Sequence, residues 1–222
     1  ITGNEELTCT TTSIMLDASG STVQGTATYS WSDGSNEVGT GATLEVTSAG
    51  DYNVTVTDSD NGCSATTTIT VTEDVTAVVA TITGNEELTC TTTSIMLDAS
   101  SSTVQGTASY LWSTGETTAT IDVTVPGDYD VTVTDSDNGC STTSEVFTVT
   151  QDIKEVIATI SGASELTCET MSITLDASGS TVQGTASYLW STGETTATID
   201  VTAPGDYDVT VTDSDNGCST TS

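Results

Sequence analysis

The sequence predicts an all-β protein, a tandem array of three antiparallel β-sandwich domains that form an elongated rod or fibre. Three observations lead there. One unit is written three times along the chain. Within each unit, apolar residues alternate with Thr, Ser and Asn at the two-residue period of half-buried strands. Clusters of Gly and Asp interrupt that alternation at short intervals, and no stretch carries a sustained 3.6-residue period with helix caps.

The repeat is legible at single-residue level. Ser102–Ser144 and Ser180–Ser222 differ only at Val125 against Ala203, and "YSWSDG" with "GDYNVTVTDSDNGC" sets a looser copy near the start. Ile1, Ile82 and Ile160 each precede a cysteine by eight residues (Cys9, Cys90, Cys168), and each cysteine precedes a tryptophan by twenty-two (Trp31, Trp112, Trp190). The second cysteines, Cys63, Cys140 and Cys218, follow that tryptophan by thirty-two, twenty-eight and twenty-eight residues, so "SDGSNEVGTGA" carries a four-residue insertion. The implied domains are 1–78, 79–156 and 157–222, the last without its closing strand.

Within the first copy, "SIMLDASGS" places Ile14 and Leu16 on one face, "ATYSWS" aligns Tyr29 with Trp31, "ATLEVT" aligns Leu44 with Val46, and "DYNVTVT" aligns Tyr52, Val54 and Val56. The opposite faces carry Thr, Asn, Ser and Glu, which keep a strand wet on its outer side. Short strands at this spacing predict a sandwich of about seven strands. Tryptophan and tyrosine alternate in phase with the aliphatic residues, which assigns Trp31, Trp112, Trp190, Tyr52, Tyr129 and Tyr207 to the core rather than to a sugar-stacking platform.

Two cysteines per unit of about 80 residues suit a small domain that gains from a staple. Six cysteines allow 15 pairings. Their repeated positions make bridges within each repeat (Cys9–Cys63, Cys90–Cys140, Cys168–Cys218) the economical choice, each closing a loop of roughly 50 residues for about 4 kcal/mol. Zinc is disfavoured because the spacings are long and the chain has no histidine. Disulfides imply an oxidising, extracellular setting. No signal peptide or membrane-length apolar run is present, which reads as a mature fragment or internal segment.

The chain has 32 acidic residues against one basic residue, a net charge of -31. Nucleic acid and anionic membranes are repelled by such a surface. Catalysis lacks its parts: without histidine, with oxidised cysteines, and with Lys154 alone in an inter-repeat segment, no Ser-His-Asp, Cys-His or lysine-based site can be assembled. Paired carboxylates for glycoside cleavage would have to recur in every copy. The single lysine also excludes a Lys–Asn isopeptide staple in each repeat.

The run W-S-x-G, then G-D-Y-x-V-T-V-T-D, then N-G-C, resembles the immunoglobulin-like and polycystic-kidney-disease-type (PKD-like) repeats of bacterial surface proteins, and most of all the SprB-type repeats of gliding and adhesion proteins in the Bacteroidota. The resemblance covers all three copies. It implies that Trp31, Trp112 and Trp190 sit on the central strand C, and that Tyr52, Tyr129 and Tyr207 occupy the start of strand F. No cysteine stands on strands B and F, so the inter-sheet disulfide of antibody domains is absent.

"DSDNG" recurs at 58–62, 135–139 and 213–217. Its carboxylates Asp58, Asp60, Asp135, Asp137, Asp213 and Asp215 are candidate calcium ligands. Against this stands the N-G turn, which explains the motif as a hairpin and makes calcium dispensable; no other cofactor is implied. "NVT" at 53–55 lies on a predicted strand, which argues against an N-linked glycan, and exposed Thr and Ser leave O-glycans as candidate decorations.

The joints "TVTEDVTAVVATITG" (70–84) and "TVTQDIKEVIATISG" (148–162) hold no flexible spacer, so adjacent domains should be closely coupled. At roughly 35–40 Å per domain, three copies span on the order of 110 Å. The partners expected are further copies of the unit, by chain continuation or end-to-end assembly, with a strand resembling "SEVFTVTQD" completing the third domain. The function that follows is structural: a segment of an extracellular bacterial fibre or adhesin stalk. The alternative is a glycan- or calcium-binding adhesion module, which calls for an exposed aromatic or basic cluster in one copy; the sequence shows none.

Overall fold

Each alternating run of the sequence folds as a strand. In a computed structural model, which describes residues 1–3 and 6–222, the first repeat holds β1 (Glu6–Thr8), β2 (Ile14–Asp17), β3 (Ala27–Ser32), β4 (Glu37–Gly39), β5 (Thr43–Val46), β6 (Gly50–Asp58) and β7 (Ser64–Asp74). They form a five-stranded sheet ordered β1-β7-β6-β3-β4 and a two-stranded sheet β2-β5. The pairings are antiparallel except that of β1, which runs parallel to β7 with Thr8 opposite Asp74. Leu7, Ile14, Leu16, Trp31, Val46, Tyr52, Val54 and Val71 form the core between the sheets. Period-two alternation therefore becomes one buried face per strand.

The tryptophan is fixed twice over. Trp31 is buried completely, sits opposite Val54 of β6, and donates its indole N–H to the Gly41 carbonyl at 2.8 Å. Tyr52, near the start of β6, donates its hydroxyl to the Ser48 carbonyl at 3.0 Å. Each aromatic body is buried while its polar tip finds a backbone partner.

The second repeat comprises β8 (Glu87–Thr89), β9 (Ile95–Asp98), β10 (Ala108–Trp112), β11 (Thr120–Val123), β12 (Gly127–Tyr129), β13 (Val131–Asp135), β14 (Ser141–Thr143) and β15 (Phe147–Asp152). The third has β16 (Ser161–Gly162), β17 (Ile173–Asp176), β18 (Ala186–Trp190), β19 (Thr198–Val201), β20 (Val209–Asp213) and β21 (Ser219–Thr221). The aromatic anchors recur: Trp112 and Trp190 donate to the Thr118 and Thr196 carbonyls, each at 2.8 Å, and Tyr129 and Tyr207 donate to Val125 and Ala203. The four-residue insertion of the first repeat builds β4. In its place the later repeats make a tight turn in which the Trp112 and Trp190 amides donate to the Glu116 and Glu194 carbonyls at 2.9 Å.

The chain divides into two compact units. The first comprises Ile1–Thr81, Ala99–Ala119 and Asp130–Glu145, and so contains the first repeat together with the sheet β10-β13-β14. The second comprises Ile82–Asp98, Thr120–Tyr129 and Val146–Ser222, with the sheets β11-β9, β12-β15-β8, β16-β17-β19 and β18-β20-β21.

In the second unit, β15 fills the space between β8 and β12. No described strand takes the corresponding place in the third repeat. An open cleft of about 1130 Å³ lies there, lined by Ile160, Leu166, Met171, Ile173, Leu175 and Tyr207 among others. Ile173 and Leu175 are half-buried, whereas their counterparts Ile95 and Leu97 are buried.

Candidate functional site: a staple between successive repeats

The backbone of the recurrent D-S-D-N-G-C segment makes the same hydrogen-bonded turn three times. The amide of its first aspartate donates to the cysteine carbonyl (Asp58 to Cys63 at 2.9 Å, Asp135 to Cys140 and Asp213 to Cys218 at 2.8 Å). The glycine amide returns to the aspartate carbonyl at 2.7, 2.8 and 2.8 Å. Gly62, Gly139 and Gly217 adopt φ of 74°, 72° and 74°, a left-handed conformation that glycine takes without penalty.

Asp58, Asp135 and Asp213 are buried beneath these turns, and their carboxylates are held by N–H donors. Asp135 accepts from the amides of Gln105, Gly106 and Asp137 at 3.0, 2.8 and 3.0 Å. Asp213 accepts from Gln183, Gly184 and Asp215 at 3.0, 2.9 and 3.0 Å, and Asp58 from Gln24, Gly25 and Asp60 at 3.2, 3.1 and 3.0 Å. These bonds favour the charged form. The Asp60 amide leads at Asp58, the Gly106 amide at Asp135 and the Gly184 amide at Asp213 in holding each carboxyl below its ordinary value. A carboxylate ringed by N–H groups is occupied as an acceptor and faces partial positive charge. Asp60, Asp137 and Asp215 are exposed, and among the described residues no group of three or more acidic or cysteine side chains is gathered for a metal. The first aspartate of each motif is thus a turn anchor, which is the competing account of "DSDNG" that the hairpin reading supplies.

The cysteines pair otherwise than expected. The bridges are Cys9–Cys140 and Cys90–Cys218, with Cα atoms 5.0 and 4.9 Å apart, while Cys63 and Cys168 are free and exposed. The within-repeat pairing Cys9–Cys63, Cys90–Cys140, Cys168–Cys218 is therefore replaced: the first cysteine of one repeat joins the second cysteine of the next. The parallel pairing of β1 with β7 explains this. Cys9 leaves β1 beside the end of β7, whereas Cys63 precedes its start. The whole length of β7 separates the two cysteines. At a strand's rise per residue that length is roughly 33 Å. A disulfide tolerates only about 7 Å between Cα atoms.

Other residues complete each staple, and sequence reasoning gave them no such role. Asn138 reaches from its turn to donate to Asp74 at 3.1 Å, and Asn216 does the same to Asp152 at 3.2 Å. Asp74 is held below its ordinary value by the Thr76 amide and hydroxyl, then by Asn138. The amide of Cys9 donates to the Asn138 carbonyl at 3.2 Å. A Cβ on Gly139 would collide with Thr10 Cγ2, and one on Gly217 with Thr91 Cγ2, so both joints close against bare glycine. Asn138 and Asn216 are 2% and 3% exposed, and Cys140 and Cys218 are 3% and 4% exposed. The signal for these contacts was present: Asn-Gly-Cys and Thr-Cys recur at fixed offsets, yet N-G is equally a turn signature.

Trp31, Trp112 and Trp190 are buried, as are Tyr52 and Tyr129, while Tyr207 is half-buried beside the open cleft. Lys154 is exposed between β15 and β16. No helix among the described residues is long and apolar enough to cross a membrane. Chemically, the arrangement supports cross-linking and anchoring of one repeat to the next.

No family model matches the chain, and no curated protein matches it. Among solved structures it is similar to the three N-terminal domains of the Highly Immunogenic Outer Capsid protein (Hoc) of bacteriophage RB49, at 15% identity and a TM-score of 0.37, over 99% of this chain and 93% of that one. At that score the fold assignment rests on the strands and registers described above.

Proposed function

We propose that this chain is a structural, non-enzymatic segment of an extracellular bacterial fibre or adhesin stalk, built of immunoglobulin-like repeats with boundaries at 1–78, 79–156 and 157–222. The observation that carries this reading is the offset of the staples, since a bridge from each repeat to the next couples neighbours, whereas a bridge inside a repeat only stabilises it. Hydrogen bonds from Asn138 to Asp74 and from Asn216 to Asp152 brace the same joints. Disulfides favour an oxidising exterior. The tryptophans are spent in the cores, which removes a stacking platform for sugars. With a net charge of -31, the surface is strongly hydrated and keeps the molecule soluble. The function is mechanical: an array of coupled repeats holds what it carries away from the cell.

Immunogold electron microscopy of the source bacterium, with antibody raised against residues 1–222, tests the proposal. Label along thin filaments or stalks outside the envelope is expected. Label confined to the cytoplasm would overturn it.

A further inference from the structure

We propose that Cys168 and Cys63 are the two halves of a third staple, closed between copies of this chain placed head to tail. The inference rests on the array reading above and names the partner: a second copy, offering its Cys63 turn to Cys168 of the first.

The local hydrogen bonds of both halves match those of the bridged joints, while Glu165–Thr167 ahead of Cys168 lacks the strand that β1 and β8 form ahead of Cys9 and Cys90. Around Cys168, the Thr167 amide donates to the Thr170 carbonyl at 3.0 Å, as Thr8 does to Thr11 at 3.0 Å and Thr89 to Thr92 at 2.9 Å beside the bridged Cys9 and Cys90. The Thr170 amide donates to the Thr167 hydroxyl at 2.9 Å, again matching Thr11 to Thr8 at 3.0 Å and Thr92 to Thr89 at 2.9 Å. The Cys63 turn has the hydrogen bonds and the glycine conformation of the turns that carry Cys140 and Cys218. What differs is the neighbour. Asn61, exposed, turns its amide inward to Asp58 at 3.0 Å, where Asn138 and Asn216 reach out to an aspartate of the preceding repeat.

The surroundings of the two thiols leave room for a partner. Cys168 and Leu166 line the open apolar cleft of the third repeat. Glu169 stands where Thr10 and Thr91 abut a glycine, and Gly62 has no atom within 4 Å of the position a Cβ would take, so the larger residue has room. One chain thus carries a free plug and a free socket of the type it joins twice internally. Such a contact is heterologous and does not close on itself in a dimer, so it propagates.

The chemistry is thiol–disulfide exchange. Cys63 thiolate attacks a low-molecular-weight disulfide such as oxidised glutathione, forming a mixed disulfide and releasing one glutathione thiolate; Cys168 thiolate of the other copy then displaces the second. The two cysteines together lose two protons and two electrons, and one glutathione disulfide becomes two glutathione thiols.

The test uses the 222-residue chain and its C63S and C168S variants, incubated with a glutathione redox buffer and read on non-reducing gels with peptide mapping of the bridges. The parent should form a ladder. Each variant alone should stay monomeric, and an equimolar mixture of the two should stop at dimers joined through Cys168 and Cys63, in about tenfold or greater excess over symmetric bridges, a preference set by docking. Dimers of either variant alone in amounts equal to the mixture, or cysteines that end only as glutathione adducts, would overturn the proposal. The same maps report Cys9–Cys140 and Cys90–Cys218. Their presence without a ladder defeats this inference alone, and their absence defeats the array reading.

Discussion

Removing the Cys90–Cys218 staple by the double substitution C90S/C218S should be costly to this protein. The two cysteines stand at a sequence separation of 128. For a loop of that length the chain-entropy relation gives about 5 kcal/mol at 25 °C. Cys9 and Cys140 stand at a separation of 131, and their bridge gives about the same. Bridges within a repeat would close roughly 50 residues and give about 4 kcal/mol, so the offset pairing is the stronger by about 1 kcal/mol per bond. For a chain of this size, about 1 kcal/mol moves the melting temperature by about 2–4 °C, so loss of one staple should lower it by about 10–20 °C. The pairing itself is read from a double-mutant cycle. C90S and C218S break the same bridge, so the pair should lose no more than either alone, about 5 kcal/mol. C90S with C140S breaks two bridges and should lose about 10 kcal/mol. Melts of purified oxidised proteins measure both. A C90S/C140S variant no worse than C90S alone would refute the offset pairing.

Gly139→Ala meets two obstacles, the left-handed backbone and the Thr10 side chain, whereas Gly62→Ala meets only the first. The former should loosen its joint by about 2 kcal/mol and the latter should cost about 1 kcal/mol; equal losses in urea melts would discount the joint. Trp31 is buried completely. Its replacement by alanine should destabilise the first repeat by about 3–5 kcal/mol, and an unchanged melt would return tryptophan to the surface as a binding platform. Asp58, Asp135 and Asp213 have folded pKa values below their unfolded ones. Their stabilisation is therefore complete above the unfolded value near ~3.9 and is lost as pH falls through the folded values. Melting temperature should drop steeply on acidification below about pH 4, and Asp135→Asn should make that drop shallower; an unaltered acid profile in the variant would deny Asp135 its anchoring role.

The strands and the aromatic anchors were readable because their signal is local. Alternation in "DYNVTVT" and "ATYSWS" survives in each copy, and it puts Trp31 and Val54 each on the apolar face of its own strand; that the two stand opposite one another is a register only the folded chain shows. The insertion in "SDGSNEVGTGA" was readable as extra length, though not as the strand β4. The staple was not readable, because a perfect repeat makes the cysteine of one copy and that of the next equivalent on paper. The deciding fact was the direction of β1 relative to β7, a pairing between segments far apart in the chain. The same degeneracy hid Asn138 and Asp74: in the sequence an Asn-Gly pair is satisfied by its own turn, as Asn61 is.

Overlapping bridges alter what a broken peptide bond means. Staples closed inside each repeat would leave the joints as weak links, and one protease cut in 70–84 would release the outer part of the molecule. Here Cys9–Cys140 encloses the first joint and Cys90–Cys218 encloses the second. Hydrolysis of any one bond between Cys9 and Cys218 leaves two pieces still tied through sulfur. Between Cys90 and Cys140 they are tied twice. The chain can be nicked without being severed, a tolerance suited to a molecule that would stand among the hydrolases of the extracellular medium.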